Sequence, residues 1–220
     1  MDRSELLRHV DHTLLRPDAT WAEMQQLCDE ALKYHTASVC VPPSYVSRCA
    51  NYLRGRIPVC TVIGFPNGYN TTNVKAFEAA EAADNGADEL DVVVNLGWVK
   101  EGQWGLVMNE IQTVKRACPG KVIKVIIETC LLTEEEKLRL CKTVTLGKLD
   151  YIKTSTGFST GGATREDVAL LAANVGSNVK VKAAGGIATL EDAEEFLALG
   201  ADRLGTSRVV RLIMAEEENQ

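Results

Sequence analysis

The sequence predicts an α/β protein, a single (β/α)8 barrel domain over residues 1–220, and three observations predict it. Eight short apolar runs alternate with segments of helical period. Glycines that end helices recur just before strands, at Gly86-Ala87-Asp88 and Gly200-Ala201-Asp202, with a looser copy at Gly147-Lys148-Leu149-Asp150. The first strand runs into TLLRPDAT without a glycine, whereas an open doubly wound sheet usually carries a Gly-rich turn there.

In chain order the strand-like runs are RHVDHTLL, TASVCVPP, IPVCTVIGFP, ELDVVVN, VIKVIIET, DYIKTSTG, VKVKAAGG and DRLGTS. Between them lie helical segments. TWAEMQQLCDEALKYH places Met24, Leu27, Cys28 and Ala31 on one stripe, and TNVKAFEAAEAADNG is rich in alanine and stops near Gly86. TEEEKLRLCKTV, ATREDVALLAANVG and TLEDAEEFLALG each place a threonine before acidic residues, which suits a helix N-terminus, and the last two close on glycine. The tail AEEENQ reads as frayed.

Composition narrows the function. The formal net charge is −6 and no basic cluster stands out, which argues against nucleic acid or an anionic membrane as a partner but leaves room for a small anionic substrate. A charged start and the lack of an eighteen-residue apolar run predict no signal segment and no membrane span. The seven cysteines are odd in number, scattered and mostly in apolar runs, so free thiols in a reducing cytoplasm are expected.

Alternation along each strand assigns faces. Val179, Val181, Ala183, Ile152, Leu90, Val92, Val94, Val125 and Ile127 take the outer parity under the helices. The inner parity then receives Asp91, Lys124, Glu128, Tyr151, Lys153, Ser155 and Lys182. Burying such a set is costly unless its members pair. A structural ion network is one reading. Position favours chemistry, because Lys153 and Lys182 precede glycine-rich strand ends and so lie toward the C-terminal mouth of a barrel, where its active sites sit.

A lysine attacks a carbonyl only when neutral, and an ordinary amine of pKa about 10.4 is neutral in roughly one molecule in 2,500 at pH 7. Desolvation and a second ammonium both disfavour its proton, and two lysines on successive strands supply both influences. Asp91 is the inward acid/base candidate, with a salt bridge to a lysine as its other reading. Lys124, near the start of its strand, is expected to balance the acids, while Glu128 is expected to orient a lysine or a substrate hydroxyl from the surrounding shell. Thr13 and Cys40 belong to that shell, Cys40 with a buried apolar thiol as the alternative. Three late stretches, Ser155-Thr156-Gly157, Gly185-Gly186 and Gly205-Thr206-Ser207, suit a phosphate cradle of backbone N–H groups.

DHTLLRPDAT, GFPNG at 64–68, NGADELDVVVN, KVIIET, YIKTSTGF, VKAAGGI and RLGTS follow one another in an order that resembles the deoxyribose-phosphate aldolase family across essentially the whole chain. The resemblance implies a cofactor-free, metal-free Schiff-base aldolase that cleaves 2-deoxy-D-ribose 5-phosphate to glyceraldehyde 3-phosphate and acetaldehyde. It implies Lys153 as the Schiff-base lysine, Lys182 as the second lysine, Asp91 as acid/base, and Gly157, Gly185, Gly186, Gly205 and Ser207 as phosphate contacts. A homodimer or homotetramer is the expected assembly.

Two departures stand out. Relatives often carry an arginine where this chain has Ala188, and Arg208 here follows Ser207. Arg208 is expected to restore the lost charge, against the alternative of a plain surface arginine. Relatives also often end in a tyrosine that reaches the site, whereas this sequence ends in Asn219-Gln220. Competing readings are a metal-dependent barrel enzyme, a transaldolase-like barrel, and a silent sugar-phosphate binder. His9, His12 and His35 lack metal spacing, and His12 is expected to be structural. Trp21, Trp98 and Trp104 are expected to pack loops and helices.

Overall fold

The computed structural model of the chain describes residues 1–218 and contains a closed barrel of eight parallel strands in the order β1 to β8. The strands are β1 Val10–Thr13, β2 Ser38–Val41, β3 Val59–Ile63, β4 Glu89–Val93, β5 Val122–Ile126, β6 Tyr151–Lys153, β7 Lys180–Ala184 and β8 Arg203–Thr206. Each lies inside one of the eight apolar runs. Helices α1 Arg3–Leu7, α2 Trp21–Tyr34, α3 Val46–Leu53, α4 Thr72–Asp84, α5 Leu96–Lys100, α6 Trp104–Ala117, α7 Glu134–Leu146, α8 Arg165–Asn174, α9 Leu190–Ala198 and α10 Arg208–Glu218 surround them.

The parity reading holds on every strand to which it was applied. Leu90, Val92, Val125, Ile152, Val181 and Ala183 join the buried layer between strands and helices. Met24, Leu27, Cys28 and Ala31 form the buried stripe of α2. Threonine caps begin the helices as read: Thr133 accepts from Glu136 N, Thr164 from Asp167 N and Thr189 from Asp192 N.

The recurrent Gly-Ala-Asp signature has a second job at the floor of the barrel. The Asp88, Asp150 and Asp202 carboxylates accept from the backbone N–H of Val59, Ile123 and Val181 on the preceding strand, at 3.0, 2.8 and 3.1 Å. In the looser copy Lys148 (φ 54°), not Gly147, takes the left-handed position.

Two expectations need correction. Residues 215–218 of the tail are helical, because Val209, Val210 and Ile213 bury one face of α10 and carry the helix onward. The sequence reading does not include the helices α1, α3, α5, α6 and α10. Asn219-Gln220, on which the missing-tyrosine reading falls, lie outside the described residues. Among the described residues no helix is long and apolar enough to cross a membrane. All seven cysteines are unpaired.

Candidate active site

The inward residues of six strands meet in one ionic network. Asp91 on β4 lies at its centre and is fully buried. Its Oδ2 accepts from Lys153 Nζ on β6 and from Lys182 Nζ on β7, both at 2.7 Å. Lys153 and Lys182 are register partners on neighbouring strands, so both amines reach the same oxygen. Asp91 Oδ1 accepts from Lys124 Nζ on β5 at 2.9 Å.

Below this layer the pairing is denser. Lys124 Nζ lies 2.5 Å from Glu89 and 3.7 Å from Asp11. Lys182 Nζ lies 2.6 Å from Asp11 Oδ2. Arg203 on β8 reaches Asp11 at 2.5 Å and Glu89 at 3.1 Å. Four cations (Lys124, Lys153, Lys182, Arg203) therefore face three carboxylates (Asp11, Glu89, Asp91). Lys124 pairs with all three carboxylates, Lys182 with Asp11 and Asp91, and Arg203 with Asp11 and Glu89. Among the described residues Lys153 pairs with Asp91 alone, and its side chain keeps 4% exposure where Lys182 and Lys124 keep none.

The electrostatics follow from this pairing. Burial opposes the charge on Asp91, but the ammonium groups of Lys124, Lys153 and Lys182 outweigh it and hold the carboxyl well below its ordinary range. Asp11 is lowered in the same way, burial being overcome by Lys182, Lys124 and Arg203. Burial also opposes the charges of Lys182 and Lys124, yet their carboxylate partners raise both amines above the ordinary lysine value. Lys182 is thus a fixed cation beside Lys153. The sequence reading expected that neighbour. It did not include Asp11, which holds the charge in place, nor the carboxylate wedged between the two amines.

Above Lys153 an open cavity of about 430 Å³ rises toward the C-terminal mouth. Lys153, Gly157, Gly185, Gly186, Gly205, Ser207 and Arg208 all line it, so the expected lysine and the expected phosphate residues share one space. Gly185 (φ 77°) and Gly186 (φ 78°) turn the chain sharply at the end of β7, in a conformation that side chains rarely adopt. Arg208, first residue of α10, is exposed, and its guanidinium makes no ion pair among the described residues. Ala188 lies outside the cavity, where its N–H donates to Asp192 at 3.1 Å. Thr13 lines the cavity and donates to Asp11 O at 2.7 Å.

Two site expectations come out differently. Glu128 meets neither a lysine nor the main cavity. Its carboxylate accepts from Thr156 N at 3.2 Å and Thr156 Oγ1 at 2.5 Å, because a left-handed turn at Glu128 (φ 54°) points it at the loop after β6. Cys40 does not line the cavity; it is fully buried beside Cys60 and Val62 beneath it, as the apolar-thiol alternative had it. Ser155 points into the protein but its hydroxyl finds no partner among the described residues. Lys124 balances the acids as expected. His12 sits on the outer face, 2.6 Å from Glu30 on α2, in a structural position. Trp21 stacks edge-on with Tyr52, and Trp98 and Trp104 pack against the core.

Sequence reasoning missed Asp11, Glu89 and Arg203. The signal was available, since the parity rule places all three inward once Val10, Leu90 and Leu204 are set outward. Arg16 and Arg211, which also line the cavity, carried no such signal.

Comparisons with known proteins give the family. The family described as DeoC/LacD family aldolase matches residues 6–203. A curated deoxyribose-phosphate aldolase of Streptococcus pyogenes serotype M4 is 55% identical over 98% of this chain and 97% of its own. One from Streptococcus agalactiae serotype Ia is 55% identical over 97% of this chain and 96% of its own. Among solved structures, a protein from Coccidioides immitis has a TM-score of 0.94 at 40% identity, covering 100% of this chain and 88% of its own. The tetrameric deoxyribose phosphate aldolase of Aeropyrum pernix has a TM-score of 0.91 at 31% identity, covering 100% and 94%.

Proposed function

The chain belongs to the DeoC/LacD aldolase family, and we propose that it reversibly cleaves 2-deoxy-D-ribose 5-phosphate to D-glyceraldehyde 3-phosphate and acetaldehyde through a Schiff base on Lys153. The observation that carries the assignment is the charge imbalance of the interior. Four cations and three carboxylates balance once one amine gives up its proton. Among the described residues, Lys153 is the amine of the network with a single carboxylate partner, and it is the one that lines the cavity.

The steps are those of Schiff-base aldol chemistry, which the family resemblance implies. Neutral Lys153 adds to the aldehyde carbon of the open-chain sugar, and loss of water gives an iminium. A base removes the proton of the C3 hydroxyl, the C2–C3 bond breaks, and its electron pair moves into the iminium to leave an enamine. Glyceraldehyde 3-phosphate departs. Protonation of the enamine at C2 and addition of water then release acetaldehyde and restore the amine. Asp91 Oδ2 accepts from both Lys153 Nζ and Lys182 Nζ, which supports a role for Asp91 in moving these protons beside a Lys182 that stays charged. At the other end of the cavity, Gly157, Gly185, Gly186, Gly205, Ser207 and Arg208 offer backbone N–H groups, a helix start and a guanidinium to the phosphate.

Borohydride reduction in the presence of substrate, followed by peptide mass mapping, tests the assignment. The expected result is an adduct on the peptide containing Lys153 and none in Lys153→Arg. An adduct on another lysine sinks it.

Closure of β1 against β8 supports one domain over the whole chain. Seven unpaired cysteines support a cytoplasmic location. The A. pernix tetramer and the exposed Val74 and Phe77, three residues apart on α4, support a homo-oligomer that covers this apolar face. Phe77→Glu is expected to lower the sedimenting mass; an unchanged mass places the interface elsewhere.

A further inference from the structure

The GFPNG stretch at 64–68 supplies no group to the chemistry above, yet a fully buried ion pair is spent on holding it. Lys75 on α4 and Glu110 on α6 have no exposed surface. Lys75 Nζ donates to Gly68 O at 2.6 Å, to Val93 O at 2.7 Å and to Glu110 Oε1 at 2.7 Å, so all three of its protons are placed. Glu110 Oε2 accepts from Asn95 N at 3.0 Å. One turn beyond Lys75, Glu78 accepts from Gly64 N at 2.7 Å. Helix α4 therefore grips both ends of the loop, and the ion pair ties it to the end of β4, the strand that bears Asp91.

The two glycines of the stretch are required by this construction. A Cβ on Gly64 would lie 2.8 Å from Lys75 Cε, and one on Gly68 would lie 2.2 Å from Val94 O. Both residues also have positive φ, at 62° and 72°.

Between them sits Phe65. On one side its ring packs against buried Cys40, Cys60 and Val62. On the other it stands edge-on to Phe158, with ring centroids 5.3 Å apart and planes at 83°. Phe158 lines the catalytic cavity one residue from Gly157.

We infer that Lys75 and Glu110 are positioning residues for the reaction: through the 64–68 loop they fix Phe65, and Phe65 fixes Phe158 as a wall of the substrate cavity. The inference rests on the aldolase reading above. Stability alone does not call for the pair, since well-packed apolar residues of similar volume stabilise a buried site as well or better. What the pair adds is direction, because three donors aimed at named acceptors set the loop where apolar packing would let it shift. Burial lowers the Lys75 pKa and raises that of Glu110, so neither charge is there for its own comfort.

The test compares Glu110→Gln and Phe65→Ala in the native and Phe158→Ala backgrounds. In the native background each is expected to raise KM for the phosphorylated sugar about tenfold, with kcat changed less than about threefold. In the Phe158→Ala background each is expected to add less than about twofold, because the wall they hold is gone. Equal effects in both backgrounds, or a lower melting temperature with KM unchanged, overturn the inference. If Glu110→Gln fails to fold, Glu110→Asp replaces it, keeping the charge but drawing the carboxylate back from Asn95 N and Lys75 Nζ, and the same two-background comparison decides. Borohydride trapping of acetaldehyde on Lys153 is measured alongside. It is expected to stay within about twofold of native in both single variants, the aldehyde being too small to reach the Phe158 wall. Failure of trapping in the native protein would instead sink the aldolase reading.

Discussion

Replacing Lys182 with methionine removes one cation from the interior and leaves three facing three carboxylates, so the balance no longer favours a neutral amine at 153. The size of the effect can be worked from the geometry. Two bonds of 2.7 Å to one oxygen, twice 2.7 Å end to end, keep the two nitrogens within about 5.4 Å of each other. At an effective dielectric constant of about 20, two unit charges at that separation repel by about 3 kcal/mol. The attraction of Asp91 for Lys153 is present before and after the change and cancels. Each 1.36 kcal/mol is one unit of proton affinity, so the acid limb of Schiff-base formation should move up by about 2 pH units. At a fixed pH on that limb the rate falls about 100-fold. The assay is the pH dependence of borohydride-trapped adduct formed with acetaldehyde in the first turnover. Lys182→Arg keeps the charge and should leave the limb close to its native position even if proton transfer suffers. A methionine variant whose limb moves by less than about half a unit would refute the charge argument, whatever its rate.

Two further outcomes follow from the same structure. Arg208→Ala removes an unpaired guanidinium from the cavity, and loss of a charge-assisted hydrogen bond of about 1.5–3 kcal/mol should raise KM for the phosphorylated sugar roughly 10- to 100-fold. The unphosphorylated sugar should be unaffected, and an unchanged KM for the phosphorylated one returns Arg208 to the surface. Asp11 and Asp91 have folded-state pKa values below their ordinary 3.8, burial being outweighed by the lysines and, at Asp11, also by Arg203. Their contribution to stability is therefore complete above about pH 4 and is lost as the pH falls through the folded values below it. Melting temperature should drop on acidification in that window, and Asp91→Asn should flatten the drop while lowering the melting temperature at pH 7; an identical acid slope in the variant would remove Asp91 from the network's energetics.

Strand period carried most of what the sequence could tell. Eight runs became eight strands because a parallel barrel strand must be apolar on its helix face, and that requirement is local. The same rule placed Asp91, Lys153 and Lys182 inside. It could not say who pairs with whom, because pairing depends on register between strands far apart in sequence: Asp91 meets Lys182 across 91 residues and Asp11 meets Arg203 across 192. Glu128 shows the limit from another side. Parity read it as inward, but Glu128 itself takes a left-handed turn two residues past the end of β5, which swings its carboxylate to Thr156. Helix α10 was missed for a different reason. Its charged end, AEEE at 215–218, reads as solvent-exposed coil unless one knows that Val209, Val210 and Ile213 are already docked.

The ionic interior is graded, and the grading separates stability from chemistry. At the floor, Lys124 and Arg203 each meet at least two carboxylates, and removing any one partner would leave a buried charge uncompensated. One layer up, Lys182 still has two. At the mouth Lys153 has one, and there the protein opens to the cavity. With equal numbers of both signs every amine would have a carboxylate to hold its proton, and an imine would form more slowly. A barrel with a larger excess of cations would be too costly to close. The surplus cation sits where compensation runs out and the cavity begins, so the proposed imine at Lys153 asks no charge of the floor to change.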